Sequence, residues 1–147
     1  MKIKKLCGAF ALMLTAVLTS CGTAGSVAFK EADNYFTRND YTRTGVVKLT
    51  TQGEFDSVFG MATVMGEKGR PTAIDFAKEF VVARVFPVTN VDTRIGKKAL
   101  VKTGEDQLRL DYELKEGEKM SSSMQPCFIL IVDNKYRNCE IIDGGSR

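Results

Sequence analysis

Leu108-Arg109-Leu110-Asp111-Tyr112-Glu113-Leu114-Lys115, a polar segment reaching Gln125, and Pro126-Cys127-Phe128-Ile129-Leu130-Ile131-Val132 together decide the fold. In the first run Leu108, Leu110, Tyr112 and Leu114 alternate with Arg109, Asp111, Glu113 and Lys115. A period of two places the apolar set on one face of a strand and the charged set in water. The last run is apolar at every position after Pro126, as a strand covered on both faces must be. Between them, Lys115 to Gln125 is polar and predicts a long loop.

Outward from this piece the same patterns continue. Glu79-Phe80-Val81-Val82-Ala83-Arg84-Val85-Phe86 is a second strand apolar on both faces, and Pro87-Val88-Thr89-Asn90 predicts a turn after it. Val91, Thr93 and Ile95 alternate with Asp92, Arg94 and Gly96, giving a strand with one wet face; residues 99–102 add another. Val46–Leu49 is a short strand, and residues 27–39 form an extended N-terminal segment. Thr51 with Glu54 three residues on is a capping box, in which hydroxyl and carboxylate satisfy the orphan amides of a helix start. Phe55, Val58, Phe59 and Ala62 follow at helical spacing and predict an amphipathic helix over about 52–64. At the other end, Asp133-Asn134-Lys135-Tyr136 predicts a hairpin turn between strands 127–132 and 137–142. The sum is an α+β domain: a mostly antiparallel sheet, or small barrel or sandwich, of about seven strands with one N-terminal amphipathic helix. No βαβ rhythm is present.

The first twenty residues carry a different message. Lys2, Lys4 and Lys5 precede an apolar stretch from Leu6 to Leu18, and Leu18-Thr19-Ser20-Cys21 closes it. At about 13 residues that stretch is too short to span a bilayer and has the layout of a secretory signal. The closing four residues resemble the bacterial lipobox, which implies cleavage before Cys21 and acylation of its thiol. Two or three acyl chains, at about 0.8 kcal/mol per buried methylene, hold a small domain on a membrane almost permanently. The lipid bilayer is thus the first expected partner. Gly22 in place of an acidic residue permits sorting to the outer membrane in the best-known rule, and localisation is expected in the cell envelope. The expected organisation is a signal over 1–20, a lipidated tether over 21–27 and a single domain over 28–147.

Removing Lys2, Lys4 and Lys5 leaves the mature chain with 18 basic residues of the original 21, against 18 acidic. With formal neutrality and no basic run, nucleic acid is not an expected partner. Cys127 and Cys139 remain as thiols in an exported protein. In the predicted hairpin they face opposite sides of the sheet, too far apart to bridge, so free buried thiols are expected.

The chain has no histidine, which removes Ser-His and Cys-His catalysis and His-based metal sites. Lys119 beside Ser121-Ser122-Ser123 would need burial to serve as a base, yet Glu116, Gly117 and Glu118 mark open, solvated chain. Asp111 and Glu113 share a face of a strand, where carboxylates ordinarily pair with cations on the neighbour. No catalytic residue, metal ligand or cofactor is expected, and the chain is read as a non-enzyme. Phe55, Phe59, Phe76, Phe80 and Phe86 either pack the helix onto the sheet or, if the strands close, line an apolar cavity for a small molecule or envelope component.

One resemblance follows from the placed elements. Glu54-Phe55-Asp56-Ser57-Val58-Phe59, then Ile74-Asp75-Phe76-Ala77-Lys78-Glu79-Phe80, then Leu108–Leu114 and Gln125–Val132 follow each other in sequence. Their order and spacing over about 52–134 are similar to the C-terminal domain of the PrcB-like family of protease-complex proteins. Pro87–Val91 stands where that family often carries a Gly-rich turn. The resemblance implies a lipoprotein β domain that associates with a secreted protease, and it brings no catalytic residues. Small exported β-barrel protease inhibitors offer a related picture, in which a loop before a late strand lies along the target's cleft. Here that loop is Met120, Ser121, Ser122, Ser123, Met124, Gln125 and Pro126, longer than most hairpin connections. The expected function is therefore a membrane-anchored, non-enzymatic protein-binding module with an envelope protease as the leading partner.

Overall fold

The computed structural model describes residues 25–63 and 65–146; the expected signal segment and Cys21 lie outside them. In chain order the elements are β1 (Ser26–Val27), β2 (Phe29–Glu31), β3 (Tyr35–Thr37), β4 (Gly45–Leu49), α1 (Gln52–Val58), β5 (Phe59–Met61), β6 (Glu79–Val85), β7 (Thr89–Gly104), β8 (Gln107–Met124), β9 (Cys127–Asp133) and β10 (Glu140–Ser146). One sheet has the order β1-β7-β8-β10, a second the order β2-β9-β6-β4, and β3 pairs with β5 alone. The described pairings are antiparallel except β10 with β8, which is parallel.

The two four-stranded sheets pack face to face around Leu100, Leu108, Leu110 and Tyr112 of the first and Phe80, Val82, Leu130 and Val132 of the second. The other face of the second sheet carries Val81, Ala83, Val85 and Ile129, which α1 and β5 cover with Phe55, Val58 and Phe59. The middle sheet is thus buried on both sides, which is why β6 and β9 are apolar without alternation. Two ion pairs tie the outer sheet to the middle one. Lys98 Nζ of β7 meets Glu31 of β2 at 3.1 Å, and Arg84 Nε of β6 meets Asp143 of β10 at 3.1 Å, with the guanidinium stacked on Phe86.

Several expectations change. Among the described residues the strands number ten rather than about seven, and of the sheet, barrel and sandwich left open by the sequence they form open sheets, not a barrel. The helix lies after β4, not at the N-terminal end, and stops at Val58 instead of running to 64. Phe59 reaches the same core from an extended backbone, paired with Thr37, while Gly60 lies under the Phe36 ring. A Cβ there would sit 2.6 Å from Phe36 Cζ, so the strand needs glycine at that position. The capping box is present but shifted. Thr51 Oγ1 accepts from Glu54 N, and the shortest bond to the Glu54 carboxylate comes from Thr50 N, at 2.7 Å, one residue before the cap. Ser26–Val27, assigned to the tether, forms β1, and Val27 is buried in the core between the sheets.

The C-terminal hairpin is also corrected. β10 does not pair with β9; it crosses to the outer sheet and runs parallel to β8, Ile141 opposite Leu108. Cys127 and Cys139 are both free thiols, but for a different reason: Cys139 packs between the two sheets and Cys127 on the far side of the middle one. The five phenylalanines divide the same way. Phe55, Phe59 and Phe76 lie on the helix side, Phe80 and Phe86 between the sheets, so no single cavity gathers them.

Candidate protein-binding ribbon

β6 and β9 end as neighbours, Val85 opposite Cys127, and the Pro126 carbonyl accepts from Phe86 N at 2.9 Å. The chain then leaves the middle sheet as a second antiparallel pair, β7 with β8, which turns through Glu105 and Asp106. The predicted strands 91–95 and 99–102 are one strand, irregular in register between Ile95 and Lys98. Thr89 and Asn90, predicted as turn, already belong to it. The predicted loop Lys115–Gln125 is likewise corrected: β8 continues to Met124, and Gln125-Pro126 is the whole connection to β9.

What the polar segment does instead is distort the ladder. Thr89 stands opposite Met124 and Val91 opposite Lys119. Between those pairs β7 has only Asn90, while β8 has Met120, Ser121, Ser122 and Ser123. Such a bulge breaks pairing locally and turns side chains and backbone outward. Ser121, Ser122 and Ser123 are exposed; Met120, Met124 and Gln125 are half-buried; Pro126 is buried at the foot. On the facing strand Thr89 Oγ1 accepts from Val91 N at 3.1 Å and Thr93 Oγ1 donates to the Val91 carbonyl at 3.0 Å, so local hydroxyls serve the backbone beside the bulge.

The surroundings leave this part of the ribbon open. Among the described residues, β1 flanks β7 only at Leu100 and Val101, and β10 flanks β8 only from Gln107 to Tyr112. No residue from Thr89 to Ala99, or from Glu113 to Met124, is fully buried. A two-stranded ribbon alone is marginal in water, so its order here comes from being fixed at both ends, by the middle sheet at the foot and by the outer sheet beyond the irregularity. Its charges alternate in sign: Asp92 and Arg94, 3.3 Å apart, on β7, and Lys115, Glu116, Glu118 and Lys119 on β8. Charged edges of this kind discourage indiscriminate strand pairing.

Lys119 and the three serines are all exposed, and among the described residues no group of His, Cys, Asp and Glu is arranged to hold a metal ion. Asp111 is bound two-pronged by Arg109, at 2.9 and 3.0 Å. Burial pushes the Cys127 thiol above its ordinary pKa, with the Thr37 hydroxyl beside it. At the foot of the ribbon Phe86, Pro87, Val88, Leu114 and Pro126 line a cleft of about 280 Å³. Two larger clefts, about 490 and 600 Å³, are lined mainly by Lys, Arg, Asp and Glu, unlike the apolar lining of most small-molecule sites. The sequence did not point to Asn90, Asp92 and Arg94 as parts of the candidate site: Asn90 read as turn, and the alternation of Asp92 and Arg94 with Val91 and Thr93 signalled a strand, not its position opposite the bulge.

Comparison with protein-family models, with curated proteins and with solved structures gave no match.

Proposed function

We propose that this chain is a lipid-anchored protein of the bacterial envelope that works as a non-enzymatic binding module. Its contact surface is the bulged end of the β7–β8 ribbon, and its partner is an exported protease. The observation that carries the reading is the bulge itself: four residues of β8 against Asn90, on a segment without flanking strands among the described residues. A ribbon held at both ends loses little freedom when a partner closes on it, so more of the contact energy appears as affinity. The mixed charges favour a selective polar contact over a greasy one. The partner class comes from the PrcB-like resemblance and the anchoring from Leu18-Thr19-Ser20-Cys21.

Co-purification from solubilised membranes tests it. The wild-type chain should retain a protease that a variant lacking Ser121–Ser123 does not. Equal retention by both removes the bulge from the account. Cys21→Ser should move the protein from the membrane to the soluble fraction; unchanged membrane association would contradict the anchor.

A further inference from the structure

We infer that the tip of the β7–β8 hairpin, Lys102 to Asp106, faces the lipid bilayer, and that the bulged end of the same hairpin is directed away from it. The inference rests on the lipidation of Cys21 proposed above and on where Gly25 is held. The Gly25 carbonyl accepts a hydrogen bond from Lys102 N at 2.5 Å, and a Cβ on Gly25 would lie 3.0 Å from the Lys102 carbonyl. β1 then pairs with β7, Ser26 opposite Val101 and Val27 opposite Leu100, and Val27 is buried between the sheets. Gly25 is therefore fixed to the body. Because β1 is antiparallel to β7, Gly25 lies on the side of Ser26 nearer Gly104 and the turn.

Only Gly22, Thr23 and Ala24 separate Cys21 from Gly25, so even fully extended the acylated cysteine lies within about 14 Å of it. The turn at Glu105 and Asp106 is within a comparable reach of Lys102, about 10 to 14 Å along the strand. From Lys102 back to Thr89 the same strand runs about 43 Å of contour in the opposite direction. A tether this short holds the tip, not the bulge, against the surface. Lys102, Thr103, Gly104, Glu105 and Asp106 are exposed and polar, which suits headgroups and excludes insertion among acyl chains. One lysine beside two acids gives no dependence on anionic lipid.

The chain has no tryptophan, so a single introduced one reports cleanly. The lipidated protein would be placed in vesicles of phosphatidylethanolamine and phosphatidylglycerol containing a headgroup-nitroxide lipid, with Thr103→Trp in one variant and Ser122→Trp in another. Both positions are exposed, so both variants should fold as the wild type does. Quenching several-fold stronger at position 103 than at 122 supports the orientation. Inserting about twenty Gly and Ser residues after Thr23 lengthens the mean reach of the tether to roughly 27 Å and should level the two signals. If the wild-type chain fails to float with the vesicles, anchoring is wrong and the orientation falls with it. If the chain floats but quenching is equal or stronger at 122, anchoring stands and the orientation is overturned.

Discussion

Deleting Ser121, Ser122 and Ser123 probes the ribbon more sharply than any point substitution. With them gone, Met120 falls opposite Asn90 and Met124 follows directly to stay opposite Thr89, so the irregular ladder becomes regular. The three serines are exposed and bury no apolar surface, so no hydrophobic term is lost. Three fewer ordered residues relieve about 1 to 2 kcal/mol of conformational entropy each, offset by whatever backbone bonds the bulge made to solvent or itself. The net change should stay within about 1 kcal/mol. For a domain of this size that is a shift in Tm of about 4 °C. Thermal and urea melts of wild type and variant, read by far-UV circular dichroism, measure it. Deleting only Ser121 and Ser122 leaves one surplus residue, an ordinary single-residue bulge, and should be equally mild. A loss of about 3 kcal/mol or more would mean that the bulge is packed structure and not surface free to meet a partner.

Three further outcomes follow from particular contacts. Gly144→Ala places a Cβ against the Asp111 carboxylate and 2.8 Å from the Leu110 carbonyl, so it should cost about 1 to 3 kcal/mol in a urea melt; an unchanged midpoint would contradict the parallel register of β10 on β8. Hydrogen bonds from Thr50 hold the Glu54 carboxyl below its usual pKa, so the ionised form is favoured in the folded chain. Its contribution is present above the ordinary glutamate pKa and lost as pH falls through the lower folded value. Glu54→Gln should therefore melt below the wild type at pH 7 and with it in strong acid, and a gap that persists in acid would refute that origin. Neither Cys127 nor Cys139 should react readily with a thiol reagent at neutral pH, because one is buried and burial raises the pKa of the other; both should react once unfolded in urea. Rapid modification of Cys127 in the native protein would overturn its placement.

The central layer was legible from the sequence because burial on both faces leaves an unbroken apolar run, as at Phe80–Ala83 and Phe128–Val132. The alternation of Leu108, Leu110 and Tyr112 was legible for the complementary reason. Beyond Leu114 that signal ends, since Lys115–Lys119 and Ser121–Ser123 are exposed and a strand so largely polar reads like a loop. The segment Lys115–Met124, expected as a loop, is thus strand. Helical spacing failed at Phe59, where a side chain reached its core site from a strand, and no local rule distinguishes the two routes. The pairing of β10 with β8 is a long-range choice, with Gly144 packed against Leu110 and Asp111, and the Asp133–Tyr136 turn pointed to the nearer neighbour.

The central claim, that the bulged ribbon is where a partner docks, is tested most directly by photo-cross-linking in intact cells from a benzophenone side chain at exposed Asn90, opposite the bulge. The account predicts one dominant adduct, with an exported protease, that disappears when Ser121–Ser123 are deleted and is absent from the same probe at exposed Arg43. An adduct that survives the deletion, or that forms equally from position 43, would contradict it.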